Sequence, residues 1–119
     1  MASDTYHEPL DLLSEDTRNL HRAIVSLMEE LEAIDWYGQR AEACSDENLK
    51  AVILHNRNEE IEHASMVLEW IRRHNDHFND MLKKYLFTQE PITAIEGTAG
   101  ETPEGTPNAT LGIGSLKVR

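Results

Sequence analysis

Glu60 and His63 stand three residues apart, and Ser45 lies midway between Glu60 and an upstream acid, Glu30. Carboxylates together with an imidazole suit iron and manganese, with zinc or calcium as substitutes. Residues three apart share one helix face, so a helix through this stretch presents Glu60 and His63 side by side. If the chain reverses at Ser45, Glu30 and Glu60 each stand about 22 Å from the turn, at roughly 1.5 Å per residue. They then meet face to face. Two-metal carboxylate bundles take a Glu from each of two helices and Glu-x-x-His from each of the other two. This chain carries one of each, which is half a set. A two-fold axis gathers two Glu30, two Glu60 and two His63 and completes it. Metals bridged in this way, roughly 3.5–4 Å apart, can act together on one substrate.

The spacing alone has little weight, since with 6 His in 119 residues chance supplies about 0.8 Glu-x-x-His matches. Placement adds to it. The pair interrupts an apolar stripe, where an unpartnered carboxylate costs several kcal/mol and a metal ion supplies the compensating charge. The other reading is a hydrogen-bonded intrahelical pair within a polar layer.

The elements that must position these residues are helical. Residues 9–43 are expected to form the first helix, with Pro9 in its first turn. Leu13, Thr17, Leu20, Ile24, Leu27, Leu31 and Ile34 make an inward stripe of period near 3.5. Gly38 weakens this helix near its end. Ser45 as N-cap, followed by Asp46 and Glu47, opens a second helix that runs to about His74. Its inward stripe is Leu49, Ile53, Asn56, Glu60, His63, Val67 and Trp70. A shorter third helix follows Asn75, with Phe78, Met81, Leu82, Tyr85 and Leu86 as its apolar face. Pro91 ends helical structure. Residues 93–110, rich in Gly, Thr and Pro, bury too little apolar surface to order and form a flexible linker. Residues 111–119 carry an isolated apolar motif, Leu111-Gly112-Ile113-Gly114-Ser115-Leu116.

Other candidates are more ambiguous. Glu29, Glu32 and Trp36 form a second stripe that attracts incoming cations or is simply a solvated face. Tyr37 hydrogen-bonds a metal ligand or packs in the core. His74 and His77 straddle a helix break, which suits capping better than ligation. Cys44, beside the turn, reads as structural or incidental.

Composition sets bounds. A length of 119 residues suits one modest domain. A net charge of -11 repels nucleic-acid phosphates and attracts cations. A single cysteine excludes an intrachain disulfide framework and fits a reducing compartment. No apolar run approaches membrane-spanning length, and residues 1–8 are unlike a secretory signal. The expectation is a protein without nucleic-acid or membrane partners.

Several separated stretches resemble the encapsulated ferritins in the same order. These are Met28 to Tyr37 (MEELEAIDWY), His55 to His63 (HNRNEEIEH), Leu68 to Arg73 (LEWIRR) and Tyr85 to Thr88 (YLFT). The resemblance covers residues 8–92 and the terminal motif. It implies an all-α fold, an antiparallel two-helix hairpin plus a short C-terminal helix over residues 1–92. Two such chains pair into a ferritin-like four-helix bundle, and the homodimers assemble into an annular decamer. It also implies that Glu30, Glu60 and His63 are the ferroxidase ligands of a di-iron centre shared across the dimer. Glu29, Glu32 and Trp36 then match the site where metal ions are admitted, and Tyr37 a residue close to the centre. Leu111, Gly112, Ile113, Gly114, Ser115 and Leu116 resemble the peptide by which cargo binds an encapsulin shell. The implied location is cytoplasmic, in the lumen of the encapsulin nanocompartment.

The function expected is oxidation of Fe(II) to Fe(III), with delivery of iron for storage inside the shell. Two readings stand beside it. One is a non-catalytic protein that binds divalent metals with the same ligands. The other is a structural helical-hairpin adaptor in which they form only a polar layer.

Overall fold

A computed structural model of the chain describes residues 5–98. All regular structure among them is helical: a 3-10 turn at Leu10–Leu12, α1 at Glu15–Ala43, α2 at Glu47–His74, α3 at Asp76–Tyr85 and α4 at Ile92–Glu96. The chain divides into two units, the first ending at His74 and the second beginning at Asn75. Among the described residues no helix is long and apolar enough to cross a membrane.

The helix boundaries follow local capping chemistry. Residues 9–13 do not join α1 as expected, because Pro9 opens a separate 3-10 turn and Leu13 is extended. Ser14 caps α1, its hydroxyl accepting from the Thr17 N–H. At the hairpin turn Asp46, not Ser45, is the cap. Its carboxylate accepts from the Leu49 N–H at 3.0 Å, a stronger acceptor for an orphan donor than a hydroxyl. Asn75 caps α3 through the Phe78 N–H at 2.8 Å.

In the first unit α1 and α2 pack as an antiparallel hairpin. Glu30 faces His63, and Gly38, eight residues further along α1, faces Arg57, six residues back along α2. At roughly 1.5 Å per residue the 29-residue α1 is about 43 Å long, yet among the described residues of this unit only Ala41, Ala64 and Ile71 are buried. The two stripes are therefore only partly covered. Leu20, Leu27, Ile34, Ile53 and Val67 are half-buried, whereas Leu31 keeps 53% of its surface and Leu49 52%. Thr17, Ile24 and Asn56 are exposed too. Two helices cover each other along one line of contact, and a stripe wider than that line needs a further layer. Toward the open end Ala23, Met66, Val67 and Trp70 line a groove of ≈ 410 Å³.

In the second unit α4 falls partly within residues expected to be linker. Pro91 starts this helix rather than ending structure, since a proline at the N-terminus forfeits no intrahelical bond. Ile95 is buried at 6% exposure, and the Lys84 ammonium donates to the Glu96 carbonyl.

Candidate metal centre

Glu30 comes from the middle of α1, and Glu60 and His63 come from consecutive turns of α2. The hairpin register places the three together, with one ligand atom from each lying within 4.8 Å of the others. Among the described residues this is the one group of three or more His, Cys, Asp or Glu side chains so gathered. His63 Nδ1 stands 3.5 Å from Glu60 Oε1 and 3.9 Å from Glu30 Oε1. The two glutamates are largely shielded, with 24% and 26% of their side chains exposed, and His63 is more open at 42%.

Two carboxyl groups this close cannot both ionise freely. The Glu30 carboxyl is raised above the usual carboxylate range, first by a hydrogen bond with Glu60, then by burial and by the Glu60 charge. His63 opposes the shift, and the Glu29 charge adds slightly to it. Without a cation the Glu30 carboxyl holds its proton more tightly than an isolated carboxyl does. A divalent ion would replace that proton, satisfying both oxygens and the imidazole at once. The donor set fits such an ion: two hard oxygens and one nitrogen, with further coordination positions unfilled by this chain.

The other expected site residues lie outside this cluster. Glu29 and Trp36 are exposed on α1, and Glu32 is half-buried. Tyr37 is half-buried, with the Arg40 guanidinium 5.7 Å from its ring centroid and 5.8 Å from that of Trp36. His74 ends α2 in the manner of a cap: its ring stacks on Trp70 and its Nδ1 lies 2.8 Å from the Trp70 carbonyl oxygen. Cys44 Sγ is 3.5 Å from the Asp46 carbonyl at the turn. Leu111 to Leu116 lie outside the described residues.

Two arginine contacts were given no role in the sequence reading. Glu69 accepts from both Arg72 and Arg73 at 2.7 Å, which lowers its carboxyl to about 2. That arrangement is legible in the three- and four-residue spacing. Arg57 lies against α1 at Gly38, its Cδ 3.9 Å from where a Cβ would stand. Nothing in the sequence around Arg57 signals this contact, because it depends on the register between helices.

Comparison with known proteins places this geometry in a family. The chain is 52% identical to the encapsulated ferritin-like protein of Rhodospirillum rubrum, over 98% of this chain and 90% of that one. It is 28% identical to the encapsulin nanocompartment cargo protein EncC of Myxococcus xanthus, over 97% of each. A crystal structure of protein ne0167 from Nitrosomonas europaea superposes with a TM-score of 0.71 at 60% identity, covering 73% of this chain and 96% of the other. A family model for EncFtn-like proteins matches residues 5–89, a span that contains all three clustered side chains. A hairpin fold, a close structural relative and a match across both helices agree, and the chain belongs to the EncFtn-like family.

Proposed function

We propose that this chain is a ferroxidase subunit whose di-iron site forms between two copies. The observation that carries the reading is the half-site itself: Glu30, Glu60 and His63 converge at the middle of a hairpin whose apolar stripes are only partly covered. A second copy laid on that face supplies the missing layer and three more ligands. Iron is the substrate. Two Fe(II) ions give up one electron each, and the two electrons reduce dioxygen to peroxide or peroxide to water. The carboxylates stabilise the harder Fe(III) product, and His63 adds a nitrogen donor to each coordination sphere. An open hairpin cannot enclose mineral, so storage falls to a surrounding shell.

Encapsulin is the shell we propose, and an annular decamer within its lumen is the assembly. Relatives named as encapsulated or as encapsulin cargo support this, as does the motif Leu111-Gly112-Ile113-Gly114-Ser115-Leu116 beyond a Gly- and Thr-rich stretch. Short apolar peptides bind through alternate side chains entering pockets. Glu29, Glu32 and Trp36 are the proposed route of metal admission, and Tyr37 is proposed as a residue that acts close to the centre in the assembled dimer.

The test is oxygen or peroxide consumption on adding Fe(II) anaerobically prepared to the full chain. Glu60→Ala should lose most of the rate while keeping its helical circular dichroism. Glu32→Ala should lose less. Wild-type rates in Glu60→Ala would move the chemistry elsewhere. Zn(II) should shift monomer towards dimer and larger rings, and the same mass distribution in chelator would refute the shared site. A chain ending at Thr110 should oxidise iron normally yet fail to load into a co-expressed encapsulin shell.

A further inference from the structure

The face of the hairpin that carries Glu30, Glu60 and His63 has two dissimilar ends. Toward the open end it is concave, where Ser26 of α1 and Met66, Val67 and Trp70 of α2 line the groove of ≈ 410 Å³. Toward the turn, the same face of α2 carries Asn56 and Val52, seven and eleven residues before His63. Val52 keeps 55% of its surface. Asn56 is exposed too, and among the described residues its side chain has no hydrogen-bond partner. The two ends also match in spacing. Ser26 stands four residues before Glu30, and Asn56 four before Glu60. Because the helices run in opposite directions, Ser26 lies one turn from the cluster toward the open end and Asn56 one turn toward the closed end.

We infer that the second copy lies on this face with its hairpin reversed, and that Asn56 of each copy hydrogen-bonds Ser26 of the partner subunit. The inference rests on the shared-site reading above and names the contact that aligns the two half-sites. A two-fold axis through the cluster and across the helices carries each end of the face onto the other. Val52, eight residues before Glu60, then enters the groove near the partner's Trp70, seven after His63. Asn56 enters it at the partner's Ser26. A two-fold axis along the helices instead sets groove on groove, and an unfilled apolar void of that size is costly. The polar groups are complementary as well. Ser26 Oγ donates its one hydrogen to the Arg22 carbonyl at 2.8 Å, which leaves its lone pairs for an incoming donor. The Asn56 amide brings two donors. On a mostly apolar face such a pair sets register, since a slip buries the amide unpaired.

The experiment attaches a nitroxide to Cys44, the single cysteine of the chain, and measures the label-to-label distance in the Zn(II) dimer of the full chain by pulsed electron resonance. Cys44 lies about 21 Å along α1 from Glu30, at roughly 1.5 Å per residue. Reversed hairpins should therefore hold the labels roughly 40 Å apart, whereas hairpins running the same way would bring them to roughly 10–20 Å. Sedimentation then reads the contact itself. Asn56→Ala and Ser26→Ala should each weaken Zn(II)-driven dimerisation about five- to fiftyfold, because symmetry doubles each loss. The double variant should be no weaker than the weaker single one, and helical circular dichroism should be unchanged in all three. A short distance, wild-type dimerisation in Asn56→Ala, or additive losses in the double variant would overturn the inference and leave the shared site standing. If Zn(II) yields no dimer, or Glu60→Ala dimerises with Zn(II) as wild type does, the shared-site reading itself fails and takes the inference with it.

Discussion

Glu60→Gln should move stability and metal binding in opposite directions. In the metal-free hairpin Glu30 and Glu60 are like charges with ligand atoms within 4.8 Å, and both are only about a quarter exposed. At that separation, with an effective dielectric between those of a protein surface and water, their repulsion is about 1–3 kcal/mol. Solvent reaching both partly exposed groups screens part of this, so roughly 1 kcal/mol is expected at neutral pH. Glutamine keeps the shape, removes one charge, and can donate its amide hydrogen to Glu30. The chelator-treated variant should therefore unfold about 4–8 °C above wild type. The pH dependence has a definite sign. Because the Glu30 carboxyl is raised in the folded chain, the folded state holds its proton more tightly than the unfolded state. Wild-type stability should thus fall as pH rises through the range above the ordinary value of 4.5. The variant should lose that slope. With saturating Zn(II) the order reverses, since wild type gains binding energy and the variant lacks a ligand in each copy. Thermal melts of both proteins, in chelator and in Zn(II), across pH 4 to 8, decide the matter. A variant less stable than wild type in chelator would show that the two carboxylates are not strained against each other.

Ile71→Ala removes the one fully buried large side chain among the described residues and should cost about 2–5 kcal/mol, read as a shifted urea midpoint. A loss under 1 kcal/mol would mean that the hairpin repacks there. Gly38→Ala should stabilise the metal-free chain by roughly 0.5–1 kcal/mol, because the added Cβ meets only Arg57 Cδ at an ordinary 3.9 Å; destabilisation would show that this seam needs the glycine. Glu69→Gln should flatten stability against pH in acid. The Glu69 carboxyl is depressed to about 2 by Arg72 and Arg73, so its contribution is present above 4.5 and lost as pH falls towards 2. With 41% of the side chain exposed the slope should be shallow, and an unchanged profile in acid would dismiss the pair as a stabilising contact. Phe87→Asn should be neutral or gain up to about 1 kcal/mol, because Phe87 is fully exposed at a left-handed φ of 62°; a marked loss on melting would mean that its ring is held by contacts in solution.

The helices and the clustering of Glu30, Glu60 and His63 were legible in the sequence because their causes are local. Periodicity defines α1, α2 and α3, and three-residue spacing puts Glu60 beside His63. Equal distances from the turn bring Glu30 level with them. That last step tolerates an error of one residue in the cap, which is why moving the cap from Ser45 to Asp46 leaves the cluster intact. Local chemistry also misled where two roles compete. Proline both breaks helices and begins them, and at Pro91 the burial of Ile95 selects the second role. Tertiary structure alone decided the rest. How little of each apolar stripe one hairpin covers, as at Leu31 and Leu49, depends on how many layers pack. Arg57 meets Gly38 only through the interhelical register, and Glu30 is raised chiefly because Glu60 faces it across the seam and burial adds to the effect. Spacing along a chain specifies which residues share a face, while the distance and charge between faces exist only once two helices have packed.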